Sequence, residues 1–252
     1  MTTTLIVLAH PEQRSFNGAW AEATRAACVA EHDTVLTSSI CQMGFDAVEA
    51  PRHYTAPISP FDPLKAQEAA AEQGRMPADV QGEIDKLRRA DRIVFHFPIW
   101  WFAPPASLKG WCDRVLAHGA THDVAHRFDS GRFRGRSVLF CMTTGSRETE
   151  SGPDGKEGDV RLLLWPLAYT LRYLGFTVLQ PEVVHGVHGY HEGDRRGTLE
   201  ARLAAVLDAQ RDLIAGWHRR AELAFNADTD FDAEGRLRPE APSVTPFIRH
   251  VR

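Results

Sequence analysis

Five short apolar runs recur along this chain, each followed after an interval by a longer amphipathic stretch, and that alternation limits its possible folds more than any other feature. The apolar runs are residues 4–10, 34–40, 92–99, 137–144 and 177–185, and the amphipathic stretches are residues 15–31, 79–90, 106–118, 160–174 and 198–221. Runs this short and this apolar suit strands buried on both faces, as in a parallel sheet covered by helices. The pattern predicts an α/β fold with a doubly wound five-stranded parallel sheet and helices on both faces. Ligands in such a fold bind beyond the carboxyl ends of the strands, near the point where the winding reverses.

Two segments stand outside the repeat. Residues 41–74 carry several prolines and the run Ala69-Ala-Ala-Glu72, and read as a long excursion between the second strand and its return helix. Loops of that length in a compact domain are usually functional or form an interface. Residues 225–252 are rich in Asp, Arg and Pro but keep Phe231, Leu237, Val244, Phe247 and Ile248. We expect one domain over residues 1–224 and an ordered C-terminal arm over 225–252 that packs on the domain or on a partner subunit.

With 252 residues, 43% hydrophobic and 25% charged, the chain is long enough for a substantial core and has the composition of an ordinary globular protein. Its net charge of -4 gives no electrostatic reason to expect nucleic acid or an anionic membrane as partner. Cys28, Cys41, Cys112 and Cys141 are scattered in or beside apolar runs without a C-x-x-C pair, as expected of reduced thiols in a cytoplasmic protein. The start of the chain lacks a signal-peptide core, and no stretch is long enough to span a bilayer, so a soluble protein without membrane insertion is expected.

Three strand ends carry the chemistry. After the first comes His10-Pro-Glu-Gln-Arg-Ser-Phe-Asn17, where Ser15 and Asn17 are candidate helix caps and the helix dipole favours a phosphate. His10 and Arg14 would add charge there. No Walker lysine and no G-x-G-x-x-G occurs, which argues against a nucleotide triphosphatase or a standard dinucleotide fold. After the third strand, Phe97-Pro-Ile-Trp-Trp-Phe-Ala-Pro-Pro105 sets prolines around an aromatic block, so a stiffened backbone offers ring faces to a flat ligand. After the fourth, Thr143-Thr-Gly-Ser146 is a small-residue turn that lets backbone amides approach a ligand.

These segments, with Leu108-Lys-Gly-Trp111 and the terminal Gly235-Arg-Leu-Arg-Pro239 and Pro246-Phe-Ile-Arg249, resemble the NAD(P)H:quinone oxidoreductases of the DT-diaphorase and modulator-of-drug-activity type. The similarity runs from Leu5 to about Leu179. It implies a flavodoxin-like fold, a bound FAD (FMN less so), NADPH or NADH as co-substrate, a quinone-like acceptor, and a homodimer with the flavin at the interface. By that resemblance His10, Ser15, Phe16 and Asn17 hold the FAD diphosphate. Pro98, Ile99, Trp100, Trp101 and Phe102 line the isoalloxazine, and Thr143, Thr144, Gly145 and Ser146 reach its pyrimidine edge. Nicotinamide and quinone take turns on the flavin, and the protein orients them.

One departure stands out. Mammalian members place a tyrosine and a histidine downstream of the Thr-Thr-Gly turn, and the corresponding positions here are Ser151 and Glu157. Ser151 can donate a hydrogen bond, whereas an ionised Glu157 opposes an anionic flavin; Arg147 or Lys156 would have to compensate. We expect Ser151 and Glu157 to tune the flavin. His122 falls where the family has a substrate-side aromatic. One of Arg195, Arg196 and Arg202 is expected to reach the adenosine half. The histidine groups 118, 122, 126 and 185, 188, 191 lack an accompanying Cys or carboxylate cluster, so no metal is expected. An accessory subunit of an ion-efflux system, which would explain the missing Tyr/His pair, and an azo- or nitro-reductase are the alternative readings.

Overall fold

The first strand, β1 (Thr3–Leu8), is buried along nearly its whole length and pairs in parallel with β2 (Thr34–Ser39) on one side and β3 (Arg92–Pro98) on the other. The computed structural model describes residues 1–251. β3 pairs with β4 (Ser137–Thr143), and β4 with β5 (Thr177–Val178), giving the order β2-β1-β3-β4-β5. The winding reverses between β1 and β3, which makes their diverging carboxyl ends the natural binding crevice.

Side-chain alternation along β3 and β4 separates the two layers. Ile93, Phe95, Phe97 and Phe140 face α3 (Ala78–Arg89), α4 (Ala106–Val115) and α5 (Val160–Tyr173), whereas Val94, Leu139 and Cys141 face Trp20 of α1 (Phe16–Ala30). On that second face, α6 (Gly193–Asp208) and α7 (Gln210–Ala215) complete the cover.

The structure departs from the sequence expectation in three places. The run over residues 177–185 is two strands, β5 and β6 (Glu182–Val184), both paired with β4. Val138 pairs Val178 and Cys141 pairs Glu182, so three residues, Leu179 to Pro181, face two on β4: a bulge at a proline that has no N–H for the ladder. Gln180 turns its N–H outward instead, to the carbonyl of Ala221 at 2.8 Å. The excursion over residues 41–74 contains a helix, α2 (Pro63–Glu72), whose start is capped by the Asp62 carboxylate with Pro63 in the first turn. The last helix begins earlier than expected and breaks at Ala209, which lets Gln210 and Ile214 turn into the core beside α1.

The arm beyond residue 224 packs on α5. Phe247 stacks on Trp165 at 4.6 Å between ring centres, and Phe225 lies against Trp165 and Tyr169. No helix among the described residues is long and apolar enough to cross a membrane.

Candidate active site

The loop after β1 is shaped by Gly18. A Cβ there would lie 1.9 Å from the Gln13 carbonyl oxygen, so only glycine lets residues 11–15 fold back on the first turn of α1. Ser15 caps the helix, its Oγ accepting from the Gly18 N–H at 3.2 Å. Among the described residues no acceptor meets the N–H groups of Phe16 and Asn17. Asn17 is buried and donates from Nδ2 to Thr143 Oγ1 at 2.9 Å, tying this loop to the end of β4, while its buried Oδ1 has no partner. His10 accepts the Glu12 N–H at Nδ1 (3.0 Å) and sets its ring edge-on to Trp100 at 5.6 Å. Arg14 stands apart from these groups. Its side chain is 90% exposed and pairs with Glu12, because the short turn places that carboxylate against it.

At the end of β3 the Ile99 N–H donates to the Thr143 carbonyl at 2.7 Å, and the chain then reverses over Trp100 to Ala103. Trp100 and Ala103 exchange both backbone hydrogen bonds, leaving Trp101 (φ 50°) and Phe102 (φ 62°) in the left-handed region. Bulky residues pay about 1–2 kcal/mol each for that conformation. Trp101 is 94% exposed, so its own contacts within this chain do not compensate.

The turn after β4 is strapped to β6 and the residues beyond it. Thr144 N–H donates to Val184 O (3.0 Å), Gly186 N–H to Ser146 O (2.8 Å) and Val187 N–H to Thr144 O (2.9 Å). The turns after β3 and β4 line two adjoining cavities of about 400 and 440 Å³, and the turn after β1 borders them through the His10–Trp100 and Asn17–Thr143 contacts. The first lies among Pro98 to Trp101, Thr143 to Gly145 and Val187. The second continues past Trp101 and Phe102 to Ser146, Ser151 and Glu157.

Ser151 is buried and Glu157 half-buried at the far wall. Their loop doubles back sharply: a Cβ on Gly155 would meet the Glu150 carbonyl oxygen at 2.2 Å, and the Glu157 N–H donates to that oxygen at 2.9 Å. The Arg147 guanidinium, with help from the Arg147 N–H and Lys156, holds the Glu150 carboxyl down at about 2. Among the described residues the Glu157 carboxylate meets no cation.

The structure thus brings Pro98 to Phe102, Thr143 to Ser146, Ser151 and Glu157 around the cavities, with His10 against Trp100 and Asn17 bonded to Thr143 at their border and Ser15 and Phe16 alongside in the same loop. It does not bring His122 to these cavities. That ring packs edge-on against His118 (5.3 Å) and Tyr173 (5.5 Å), where burial pushes its pKa down. The three arginines named for the adenosine half do not line the cavities either: Arg196 pairs with Glu200 at 2.8 Å, and Arg202 donates to the His185 carbonyl. Val187, Glu150 and Leu163 are lining residues that sequence reasoning missed. Val187 had no usable signal, since the bulge before β6 decides where the chain emerges.

A family profile described as Flavodoxin-like fold matches residues 2–208. NAD(P)H dehydrogenase [quinone] 1 of Rattus norvegicus is 34% identical over 239 residues, covering 92% of this chain and 81% of the relative. The chain belongs to the flavodoxin-like quinone oxidoreductase family. Ribosyldihydronicotinamide dehydrogenase [quinone] of Homo sapiens is 35% identical, covering 85% of this chain and 96% of the relative. Among solved structures, one described as a candidate quinone reductase from Klebsiella pneumoniae superposes with a TM-score of 0.83 at 28% identity, covering 96% of both chains. That coverage extends the likeness into the region of the arm, beyond residue 208 where the family profile ends.

Proposed function

We propose that this family member is a flavin-dependent NAD(P)H:quinone oxidoreductase, with FAD rather than FMN in the crevice between β1, β3 and β4. The observation that carries this reading is a crevice lined by an aromatic wall and a hydroxyl-rich turn, with the free amides of the α1 start held at its border by the Asn17–Thr143 and His10–Trp100 contacts. The residues fit a flavin. The Phe16 and Asn17 N–H groups at the start of α1 are donors without acceptors among the described residues, as an anionic diphosphate requires, and the space beside Gly145 is open to 4 Å, so a planar edge can approach the backbone.

When bound, the flavin supplies hydride transfer, accepting from NAD(P)H and giving to the quinone. The protein's part is placement. In this reading His10, Ser15, Phe16 and Asn17 hold the diphosphate, with the amides at the start of α1 facing the anion. Pro98 to Phe102 form the wall against the ring, and the strained Trp101–Phe102 turn keeps large aromatic faces at the cavity mouth. Thr143 to Ser146 meet the pyrimidine edge, and Ser151 and Glu157 set the field there. Arg14 takes part only by leaving Glu12.

The same reading makes the protein a cytoplasmic homodimer. Trp101, Phe102 and Val124, at 94%, 53% and 72% exposure, are large apolar groups that a second subunit would cover, and His122 would then serve the partner's acceptor pocket.

Equilibrium dialysis with FAD and with FMN, followed by mass spectrometry of released flavin, tests the cofactor. Steady-state NADH and NADPH oxidation with menadione, set beside azo and nitro acceptors, tests the reaction. Binding of neither flavin overturns the proposal. A monomer by light scattering at micromolar concentration with full activity overturns the dimer.

A further inference from the structure

The turn after β4 contains three hydroxyls in line. Thr144 Oγ1 lies 2.8 Å from Ser146 Oγ, which lies 2.6 Å from Ser151 Oγ, which donates to the Arg147 carbonyl at 3.1 Å. Counting protons gives the chain a direction. A carbonyl only accepts, so the single Ser151 proton is committed to Arg147, Ser146 must donate to Ser151, and Thr144 must donate to Ser146. Thr144 Oγ1 also accepts the Ser146 N–H at 3.2 Å. In this state all three protons are committed along the wall to the next acceptor in line, and the chain offers the cavities lone pairs alone.

The opposite direction is available at small cost. If each hydroxyl rotates, Ser151 donates to Ser146, Ser146 to Thr144, and Thr144 toward the cavity that it lines. Every proton stays on its own oxygen, and no covalent bond forms or breaks. The Arg147 carbonyl is not stranded, because it also accepts the Glu150 N–H at 3.0 Å. The cations at this wall cannot easily do the same service, since Arg147 and Lys156 are both committed to Glu150 at 2.8 and 3.2 Å.

We propose that the Thr144–Ser146–Ser151 hydroxyl chain is a reversible dipole that accepts from the oxidised flavin edge and donates to the reduced one, with Ser151 the positioning residue that holds it in the first state. The inference rests on the flavin reading of the crevice. It gives this chain a device for the charge of the reduced ring at the place where mammalian relatives carry a tyrosine and a histidine. The Ser151 bond to Arg147 acts as a brake on reversal, and a neutral hydrogen bond of that kind is worth about 1 kcal/mol.

The two ends of the chain therefore carry opposite signs. Ser151→Ala removes the brake and shifts the flavin equilibrium about fivefold toward the reduced form, about 20 mV upward for a two-electron couple. Ser146→Ala frees the Thr144 proton and moves it the same way. Thr144→Val removes the donor that meets the reduced edge and shifts the equilibrium about fivefold toward the oxidised form. Ser151→Thr keeps the hydroxyl and restores the wild-type value.

The measurement is potentiometric titration of the flavin-loaded variants, with the dissociation constant of oxidised flavin determined in parallel. Shifts of one sign at both ends, or values within twofold of wild type in Ser151→Ala and Thr144→Val with flavin bound, overturn the inference. A wild-type chain that binds no flavin overturns the cofactor reading and this inference with it, and dialysis separates that case from the others.

Discussion

Under α3 and α4 the buried carboxylate of Glu83 is met by Lys86 Nζ at 2.6 Å and Trp111 Nε1 at 2.9 Å, whereas at the strand ends the equally buried Oδ1 of Asn17 is met by nothing among the described residues. The same contrast holds around each group. Buried Arg114 bonds Asp79 Oδ2 at 2.8 Å and the Asp46 carbonyl at 2.7 Å, with only its Nε unmet among the described residues, and Gln67 joins Glu49, the Asp113 carbonyl and the His118 N–H, so the excursion over residues 41–74 is clamped to α4 by polar groups that mostly answer one another. The crevice instead holds unanswered amides at the start of α1 and two large residues in left-handed backbone. Polar burial that closes on itself specifies the fold. Polar burial left open, beside strain that the fold sustains, marks where a second molecule completes the structure.

The largest expected effect breaks the closed region. Lys86→Met leaves the Glu83 carboxylate with Trp111 alone and should cost about 3 kcal/mol in urea unfolding. The folded fraction should bind flavin as wild type does; a parallel loss of affinity would erase the distinction between the two regions.

His96 lies on the opposite face of the sheet from α3 and α4, against Trp20 and Thr24 of α1. Its Nε2 meets Thr24 Oγ1 at 3.1 Å, its Nδ1 has no partner among the described residues, and burial in the core pushes its pKa down to about 3. The unfolded histidine titrates near ~6.5 and takes up a proton that the native one refuses, so this contribution is intact above that pH. Stability should fall as pH drops from about 6.5 toward 3, by about 1.4 kcal/mol per unit well below 6.5. Denaturant titrations at several pH values should show the slope reduced in His96→Gln.

Asn17→Ala sharpens the contrast from the open side. Flavin affinity should fall about tenfold, because the side-chain bond to Thr143 is what holds the free amides of α1 beside the crevice, while stability changes by about 1 kcal/mol or less. Unchanged flavin affinity would mean that the α1 start takes no part in holding the ligand.

Relief of strain is a smaller effect. Trp101→Asn keeps a residue that tolerates left-handed backbone and loses almost no packing, so thermal stability should rise by about 2 °C, corresponding to roughly 1 kcal/mol or less. Quinone turnover should drop in the same protein. A fall in melting temperature would show that the exposed ring already has a partner, as in a dimer.

The smallest effect concerns Glu157. Neutralising it as Glu157→Gln should shift the flavin equilibrium about threefold toward the reduced form, the size expected of a screened, half-buried charge, and leave turnover within about tenfold. Abolished hydride transfer with flavin still bound would make Glu157 a catalytic group.

Much of this was legible in the residues themselves. Strands β1 to β4 and helices α1, α3, α4 and α5 lie within a few residues of the apolar runs and amphipathic stretches, because period and burial are local signals. Helix α2 was missed although Asp62-Pro63 is a good start signal, since the prolines around it read as loop. The break at Ala209 and the bulge at Gln180-Pro181 were missed for a different reason: each is set by what the chain packs or pairs against far away in sequence, α1 in one case and β4 in the other.

The α/β class, the three loop motifs and the family could be read from residue types within a dozen positions of one another. Which of those residues share a crevice was set by long-range packing. Asn17 meets Thr143 across 126 positions, Arg14 is drawn to Glu12, His122 sits beside Tyr173, and Val187 arrives through a bulge. The direction of the Thr144, Ser146 and Ser151 hydroxyls is likewise invisible in the letters. It follows from one backbone carbonyl, that of Arg147, which can accept a hydrogen bond and never donate one.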